Sequence, residues 1–195
     1  SRLHDATEGK ILIGNQDIKT HNLQQLRENI GVVPQDPFLF SDTIENNIQF
    51  GKSDATKDEI IQAAKDADVH NNIIQFKKGY KTVLGERGVT LSGGQKQRVS
   101  IARAIIKNPQ IVLFDDCLSA VDTETEETIL NNLKRVTKNS TTIIVSHRIS
   151  SAKNADTIFI LDKGSIIQKG TNKELLNTSG YYKELHQKQL SEKEA

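Results

Sequence analysis

The sequence predicts an α/β fold with a mostly parallel sheet and a second, helix-rich lobe. Short runs of Val, Ile and Leu alternate with segments of helical pattern. Several of these runs are apolar throughout, which is typical of strands covered on both faces of a parallel sheet. Between about residues 41 and 100 the chain becomes charged and helical, which predicts an inserted lobe. We therefore expect one lobe from residues 1–40 and 101–195, and a helical lobe from 41–100.

The predicted elements follow in order. In the first half they are a strand at 10–13, a helix at Leu23–Glu28, a strand at Ile30–Val33 and helices at 43–48 and 56–68. Pro34 stops the second strand, and Thr56 with Glu59 fits a capping box. In the second half they are helices at 95–107 and Thr123–Val136, buried strands at 111–114, Thr141–Val145 and 156–161, a turn at Lys163-Gly164 into 166–167, and a helical tail from Asn172.

The composition argues against several classes of function. The 195 residues include 26 Lys or Arg and 25 Asp or Glu, a formal charge of +1, which gives no support for binding nucleic acid or a membrane surface by charge. No stretch approaches the roughly 20 apolar residues that cross a bilayer. Cys117, the single cysteine, excludes an internal disulfide framework and fits a reducing compartment. The chain has no methionine, even at position 1, so we expect it to be a piece of a longer protein.

The most specific string is Leu91-Ser92-Gly93-Gly94-Gln95, directly before a predicted helix. Glycines let backbone N–H groups approach an anion, a serine hydroxyl donates, and the helix N-terminus adds about half a positive charge. A Ser-Gly-Gly turn alone is more often an ordinary helix cap, but all five residues together occur by chance in roughly one chain in ten thousand. The string resembles the signature motif of ATP-binding cassette (ABC) ATPases. This resemblance implies that Ser92, Gly93, Gly94 and Gln95 contact the γ-phosphate of ATP held by an opposite subunit.

Two acids, Asp115 and Asp116, end the apolar strand that follows this helix. They resemble a Walker B motif, which implies that Asp115 holds Mg²⁺ through water. Active family members usually have Glu at the second position, so the Asp116 carboxylate is withdrawn by roughly 1.5 Å, a displacement that can cost about a hundredfold in rate. In heterodimeric exporters of the family this replacement marks a slowly hydrolysing site. We therefore expect Asp116 to be a weak catalytic residue and the signature motif to complete a competent site on a partner.

Three more residues match the family in its own order. Gln35 matches the Q-loop glutamine, which implies contacts with Mg²⁺ and the attacking water. Asp122, in Ser119-Ala120-Val121-Asp122, resembles the D-loop that signals across the dimer, and it also fits an ordinary N-cap. His147, just after a predicted strand, matches the switch histidine, which implies a contact with the γ-phosphate. Each residue alone is more often an exposed polar residue, but the ordered set favours the family assignment.

The kind of ABC protein is indicated by the loops at 35–41 and 82–88. The second resembles the X-loop of exporters, which implies that Glu86 and the 35–41 loop face the coupling helices of a transmembrane domain. The resemblance therefore implies a P-loop NTPase (RecA-like) ABC ATPase core with a helical subdomain. It would bind ATP and Mg²⁺, pair with a second ATP-binding domain, and drive export at the cytoplasmic face of a membrane, with no nucleic-acid partner. The alternatives are a non-transport ABC ATPase acting on nucleic acid or ribosomes, and a truncated, non-catalytic interaction module.

The sequence has no match to the Walker A pattern G-x-x-x-x-G-K-[ST], the loop that binds the nucleotide phosphates in this family. Gly51-Lys52-Ser53 lacks the first glycine, because Asn46 stands in its place. Gly9-Lys10 lacks both the first glycine and the hydroxyl residue. The match to the family begins shortly after the Walker A helix, so we expect an N-terminally truncated domain that by itself binds ATP poorly, is inactive and is marginally folded.

Overall fold

The structure is a computed structural model that describes residues 2–85 and 89–194. It divides into two compact units, Ser1–Val145 and Ser146–Ala195. The strands of the first unit are Leu12–Ile13 (β1), Gln16–Asp17 (β2), Ile30–Val33 (β3), Ile111–Asp115 (β4) and Thr141–Val145 (β5). Its α-helices are Leu23–Glu28 (α1), Ile44–Gln49 (α2), Lys57–Asp66 (α3), His70–Gln75 (α4), Gly93–Ile105 (α5) and Thr123–Val136 (α6). The second unit contains Ile149–Ala152 (α7), Ile158–Asp162 (β6), Ser165–Gly170 (β7), Asn172–Asn177 (α8) and Tyr181–Glu194 (α9).

A parallel sheet in the order β3-β4-β5 lies in the first unit. Val33 pairs with Phe114, and Phe114 pairs in turn with Ile144. Helix α6 connects β4 to β5, as parallel pairing requires a crossover. The predicted α/β class with parallel strands is therefore confirmed. The carboxyl ends of the three strands share one edge of the sheet, which is where open α/β sheets bind ligands.

Most predicted element boundaries agree with the structure to within two residues. Helix α5 begins at Gly93, two residues earlier than predicted, because Ser92 caps it. The predicted capping box of α3 is confirmed, since Thr56 Oγ1 accepts from the Glu59 N–H and the Glu59 carboxylate accepts from the Thr56 N–H. Local hydrogen bonding within four residues thus explains where these helices start.

Helix α5 lies in the main hydrophobic core of the first unit. Its residues Val99, Ile101 and Ala102 are fully buried. They pack in one cluster with Val112 and Phe114, which β4 directs to the same side. Helices α2, α3 and α6 contribute further large buried residues to this cluster: Ile44, Ile48, Ile60, Ile129 and Leu133. The core therefore covers one face of the parallel sheet.

The opposite face of this sheet is largely exposed. Val32, Leu113 and Ile143 lie side by side across β3, β4 and β5, and Ile143 is 48% exposed. Val145 is also exposed. The prediction that Thr141–Val145 is a buried strand is therefore wrong for the residues that the structure describes. The reason is that the core helices of the first unit pack on the opposite face of the sheet, which carries Val112 and Phe114.

Both hairpins formed by the described residues reverse through two residues with positive φ. Gly14 and Asn15 (φ 56° and 64°) join β1 to β2, and Lys163 and Gly164 (φ 48° and 78°) join β6 to β7. Positive φ at both central positions is what a tight hairpin requires, so the turn predicted at Lys163-Gly164 is confirmed. Because that turn reverses the chain, β6 pairs with β7 in an antiparallel hairpin.

The second unit has a small core of its own, formed by Ile149, Ile158, Leu175 and Tyr182. Ile158 begins β6, but Leu161 in the same strand is 67% exposed. The prediction that 156–161 is a buried strand is therefore wrong over most of its length, because a two-stranded hairpin has one face on this core and the other outside it. No helix among the described residues combines the length and the apolar character needed to cross a membrane.

Candidate functional site

The Ser92 loop is an exposed helix start with fixed geometry. Ser92 Oγ accepts from the Gln95 N–H at 3.3 Å, and Gln95 Oε1 accepts from the Ser92 N–H at 3.0 Å. This capping box begins the 13-residue helix α5. Ser92 and Gly93 are exposed, and the first N–H groups of a helix have no partner within it. The Ser92 hydroxyl, the Gln95 amide N–H groups and the helix N-terminus can therefore donate to a phosphate.

The start of α5 is in contact with the 116–122 segment. Gln97 is buried, and its Oε1 accepts from the Ala120 N–H at 3.3 Å. Gly94 approaches Ala120 so closely that a Cβ on Gly94 would lie 3.0 Å from the Ala120 oxygen. Asp122 ends this segment as the N-cap of α6, and its hydrogen bond to the backbone N–H of Thr125 lowers its pKa. The segments that carry the predicted signature and D-loop residues are thus in contact in the folded chain, although they are separated in sequence.

Asp115 and Asp116 lie at the carboxyl end of β4. Asp115 is exposed and pairs with Val145 of β5. Asp116 has φ 42°, a left-handed conformation that Asp adopts more readily than most residues. Its N–H donates to Val145 O at 2.8 Å, and its carbonyl accepts from Ser119 Oγ at 3.0 Å. The backbone therefore turns sharply at Asp116, directly after the carboxyl end of β4.

Gln35 follows the neighbouring strand at the same edge. It is exposed and lies two residues after Val33, the register partner of Phe114. Parallel strands in register bring the residues after Val33 and after Phe114 to one edge. Gln35 and Asp115 supply an amide and a carboxylate oxygen, which are the ligand type that Mg²⁺ prefers, and Mg²⁺ usually keeps several waters. The donor set therefore fits a magnesium ion bound mainly by water and substrate, although the described residues contain no cluster of three or more metal-ligating side chains.

Three exposed aromatic rings lie together, Phe38 and Phe40 in the loop after Gln35 and Phe50 at the end of α2, and we call them the aromatic surface. Phe38 and Phe50 are each 67% exposed. The ring centroids of Phe38 and Phe40 are 5.1 Å apart, and those of Phe40 and Phe50 are 4.7 Å apart. The Arg103 guanidinium lies 5.5 Å from the Phe40 centroid. Aromatic side chains held together at the surface are typical of a protein interface.

Arg103 and Asn47 hold this surface from below. Arg103 Nε donates to Asn47 O at 2.9 Å, and Arg103 Nη1 donates to Phe38 O at 2.8 Å. Asn47 is fully buried, and its side chain both donates to Phe40 O and accepts from the Phe40 N–H. Burial lowers the pKa of the Arg103 guanidinium. Because Arg103 belongs to α5, the helix that Ser92 caps is hydrogen-bonded directly to the backbone of the aromatic surface.

His147 lies in the second unit, with an exposed side chain. Its carbonyl accepts from Gln189 Nε2 at 2.8 Å.

Cys117 is buried in the first unit, and burial raises the pKa of its thiol to about 12, which fits a packing residue and not a nucleophile. Glu86 lies outside the described residues.

Sequence reasoning missed four residues that hold the predicted site residues in place: Asn47, Gln97, Arg103 and Gln189. Their signal in the sequence is weak. Each is a polar residue in a helix, where it is usually exposed, and its partner lies from seven to 65 residues away along the chain. Only Asn47 and Gln97 have a hint, because each lies next to residues of the apolar face of its helix.

The chain is similar to known proteins of one family. The family model described as "ABC transporter" matches residues 1–119. ATP-binding cassette sub-family B member 6 from Xenopus tropicalis is 50% identical over 194 residues, which cover 100% of the chain and 23% of the relative. The ABC transporter ATP-binding protein YknU from Bacillus subtilis (strain 168) is 52% identical over 186 residues, covering 95% of the chain and 32% of the relative.

The fold has a solved counterpart, described as a bacterial Atm1-family ABC exporter with ATP bound. Its TM-score is 0.92 at 45% sequence identity, and the match covers 97% of this chain and 33% of that one. The ATP-dependent lipid A-core flippase of Syntrophus aciditrophicus (strain SB) is 44% identical and is covered to 32% of its length. The chain thus spans about a quarter to a third of the length of these relatives.

Proposed function

The chain belongs to the ABC transporter family, and from this premise we propose that it acts as the ATP-binding domain of an exporter. Ser92, Gly93, Gly94 and Gln95 would bind the γ-phosphate of ATP held by a second ATP-binding domain. The observation that carries this proposal is the exposed, capped N-terminus of α5, where backbone and side-chain donors converge. Asp122 would lie at the same domain–domain contact, since its segment is bonded to α5 through Gln97.

We propose that Asp115, Asp116, Gln35 and His147 serve hydrolysis. Asp115 and Gln35 would hold Mg²⁺, which when bound offsets the charge of the phosphates. Asp116 would accept a hydrogen bond from the attacking water, Gln35 would help to orient that water, and His147 would donate to the γ-phosphate. These roles follow the family resemblance. The exposed Asp115 and Gln35 at one sheet edge, with Asp116 directly after Asp115, support the roles of these three residues.

Hydrolysis with Asp116 is expected to be slow. Asp is one methylene shorter than Glu, so its carboxylate lies farther from the water. We therefore propose that this chain provides the weak Walker B site of a heterodimer and a competent signature motif for its partner. Asp116→Glu should raise the turnover of the complete gene product, measured as phosphate release under saturating ATP. Unchanged turnover would contradict the proposal of a weak site.

We propose that the membrane partner binds at the aromatic surface and the 35–41 loop, and that Glu86 contacts the same partner. Two observations support this: the exposed rings of Phe38 and Phe50, and the bonds from Arg103 that connect this surface to α5. Residues 1–40 and 101–195 would form the ATPase lobe and 41–100 the helical lobe. In an assembled exporter the chain would lie on the cytoplasmic face of the membrane.

The test uses two matched capping residues. Ser92→Asp keeps a good N-cap but places a negative charge where the γ-phosphate should bind. Thr171→Asp makes the same change at the capping box of α8, for which no nucleotide role is proposed. In the complete gene product, ATP-dependent phosphate release should fall at least tenfold for Ser92→Asp and stay unchanged for Thr171→Asp. Equal turnover in the two variants would show that the Ser92 loop binds no nucleotide phosphate.

A further inference from the structure

The backbone around His147 is bonded to the side chain of a distant glutamine. Gln189 Nε2 donates to His147 O at 2.8 Å, and Gln189 Oε1 accepts from the Ile149 N–H at 2.9 Å. One side-chain amide thus bonds the backbone on both sides of Arg148, much as a neighbouring strand would. Both distances are those of well-formed hydrogen bonds.

These two bonds replace a local cap that the sequence does not supply. Helix α7, which follows His147, has only four residues, and its N-cap residue Arg148 makes no side-chain capping bond. The first N–H groups of a helix have no partner within it, and so short a helix does not stabilise itself. Gln189 provides the partner for Ile149, while Ser146 Oγ accepts from the Arg148 N–H at 3.0 Å.

Gln189 is itself held in place because its helix is anchored. Tyr182, one residue after the start of α9, is 1% exposed and packs in one cluster with Ile149. Its hydroxyl donates to Asn172 Oδ1 at 2.7 Å, and its N–H donates to Gln168 Oε1 at 3.0 Å. Moving α9 away would expose Tyr182 and break these bonds, so the position of Gln189 is set by the core of the second unit.

We propose that Gln189 is the positioning residue of His147. By bonding the carbonyl of His147 and the N–H of Ile149, it fixes the backbone from which the exposed imidazole projects. Both hydrogen bonds of the Gln189 amide described above go to backbone atoms, so Gln189 acts through His147 and is a positioning residue, not a catalytic residue. The inference rests on the proposed function, in which His147 donates to the γ-phosphate of ATP.

The test compares two glutamines of one helix in the complete gene product carrying Asp116→Glu, so that hydrolysis at this chain's own site contributes to the measured turnover. Gln189→Leu removes both bonds, and Gln187→Leu is the matched control, because Gln187 is exposed two residues away. Gln189→Leu should lower kcat for ATP hydrolysis about tenfold, as expected from the loss of two neutral hydrogen bonds, with little change in KM. Amide exchange at Ile149 should become about tenfold faster. Gln187→Leu should change neither quantity.

Two further variants separate positioning from simple stability. Gln189→Glu keeps the acceptor for the Ile149 N–H and loses the donor to the His147 carbonyl. Its kcat should therefore lie between that of the parent protein, which has Gln189, and that of Gln189→Leu. With His147→Ala as background, Gln189→Leu should lower kcat no further, because residues that act through one another are not additive. An independent, additive loss would assign Gln189 a structural role and overturn the inference.

The outcomes distinguish this inference from the proposed function. If His147→Ala reduces turnover strongly and both Gln189 variants behave like Gln187→Leu, the inference is wrong and the proposed function stands. If His147→Ala leaves turnover unchanged, the proposed role of His147 is wrong and the inference falls with it. If Gln189→Leu lowers only the melting temperature and leaves kcat per folded molecule unchanged, positioning is excluded.

Discussion

The Ser92 loop and the His147 loop are held in place in opposite ways. Ser92 is bonded to Gln95, three residues later, and the helix that follows is long and buried on one side. His147 is followed by a helix of four residues, and its carbonyl is bonded to Gln189, 42 residues later. The first loop is therefore defined mainly by its own sequence, and the second depends on the core of the second unit.

This difference has a consequence for how the two loops respond to mutation. A local cap survives as long as the cap residue and the first turn of its helix keep their conformation, because both partners of the hydrogen bonds lie within four residues. A bond between distant residues survives only while the packing that brings them together is intact. We therefore expect core mutations in the second unit to loosen His147 and local mutations to affect only their own helix start.

The largest effect should come from removing the anchor of α9. Tyr182→Ala deletes a fully buried ring and its hydrogen bond to Asn172, which should cost about 4 kcal/mol in free energy of unfolding. Hydrogen exchange should accelerate at Ile149, while the amide of Gln95 serves as the local reference. The control is Tyr181→Ala, since Tyr181 is 55% exposed and should matter by less than about 0.5 kcal/mol. Equal effects of the two variants would contradict the tertiary origin of the His147 geometry.

The next largest effect tests whether α5 also depends on distant bonds at its other end. Arg103→Met removes the donors to Asn47 O and Phe38 O and leaves these acceptors without their partner, at a cost of about 3 kcal/mol. Urea unfolding measures this loss. Lys134→Met, at an exposed position in α6, should change stability by no more than about 0.5 kcal/mol. A neutral Arg103→Met would mean that the aromatic surface is held by packing alone.

A smaller and equal effect is expected at the two matched local caps. Ser92→Ala and Thr171→Ala each remove the side-chain acceptor of a capping box, and each should cost about 1 kcal/mol. Denaturant unfolding followed by hydrogen exchange at Gln95 and Glu174 would measure both. If the loss at Ser92 is much larger than the loss at Thr171, the Ser92 loop depends on its distant contact through Gln97 more than on its own cap.

The smallest effect concerns the charged capping box of α3. The hydrogen bond from Lys52, followed by that from the Thr56 backbone, lowers the pKa of Glu59 from 4.5 to about 2. A depressed carboxyl pKa stabilises the fold above the unfolded value and loses this contribution as the pH falls from about 4.5 to about 2. Glu59→Gln should therefore flatten the pH dependence of stability in that window, measured by urea unfolding. The effect should be small, because the group is exposed to solvent. A variant that keeps the full slope would assign the dependence to other carboxyls.

Much of the fold follows from local patterns in the sequence. The turn at Lys163-Gly164, the capping box at Thr56 and the bounds of β3, α6 and β5 agree with the structure, because turn and cap chemistry act over a few residues. The burial of Thr141–Val145 could not be predicted in this way. An apolar strand is suited to burial on both faces, but what covers each face is decided by elements elsewhere in the chain.

The candidate site divides along the same line. Motif spacing alone predicts Ser92, Asp115 and Gln35 as site residues, and parallel pairing places Asp115 and Gln35 at one sheet edge. The partners that fix the site, among them Gln97 and Gln189, have no motif. Their side chains meet the site only because two helices pack where they do.

The sequence by itself determined the family of this chain and the local caps and turns that begin its elements, and it predicted the site residues and their order. Each of these depends on side chains within a few positions of one another, so the local chain carries the necessary information. The tertiary structure alone decided that Gln189 bonds the His147 backbone, that Arg103 supports the aromatic surface, and that one sheet face is exposed. Contacts over such distances are set by packing, which no local pattern specifies.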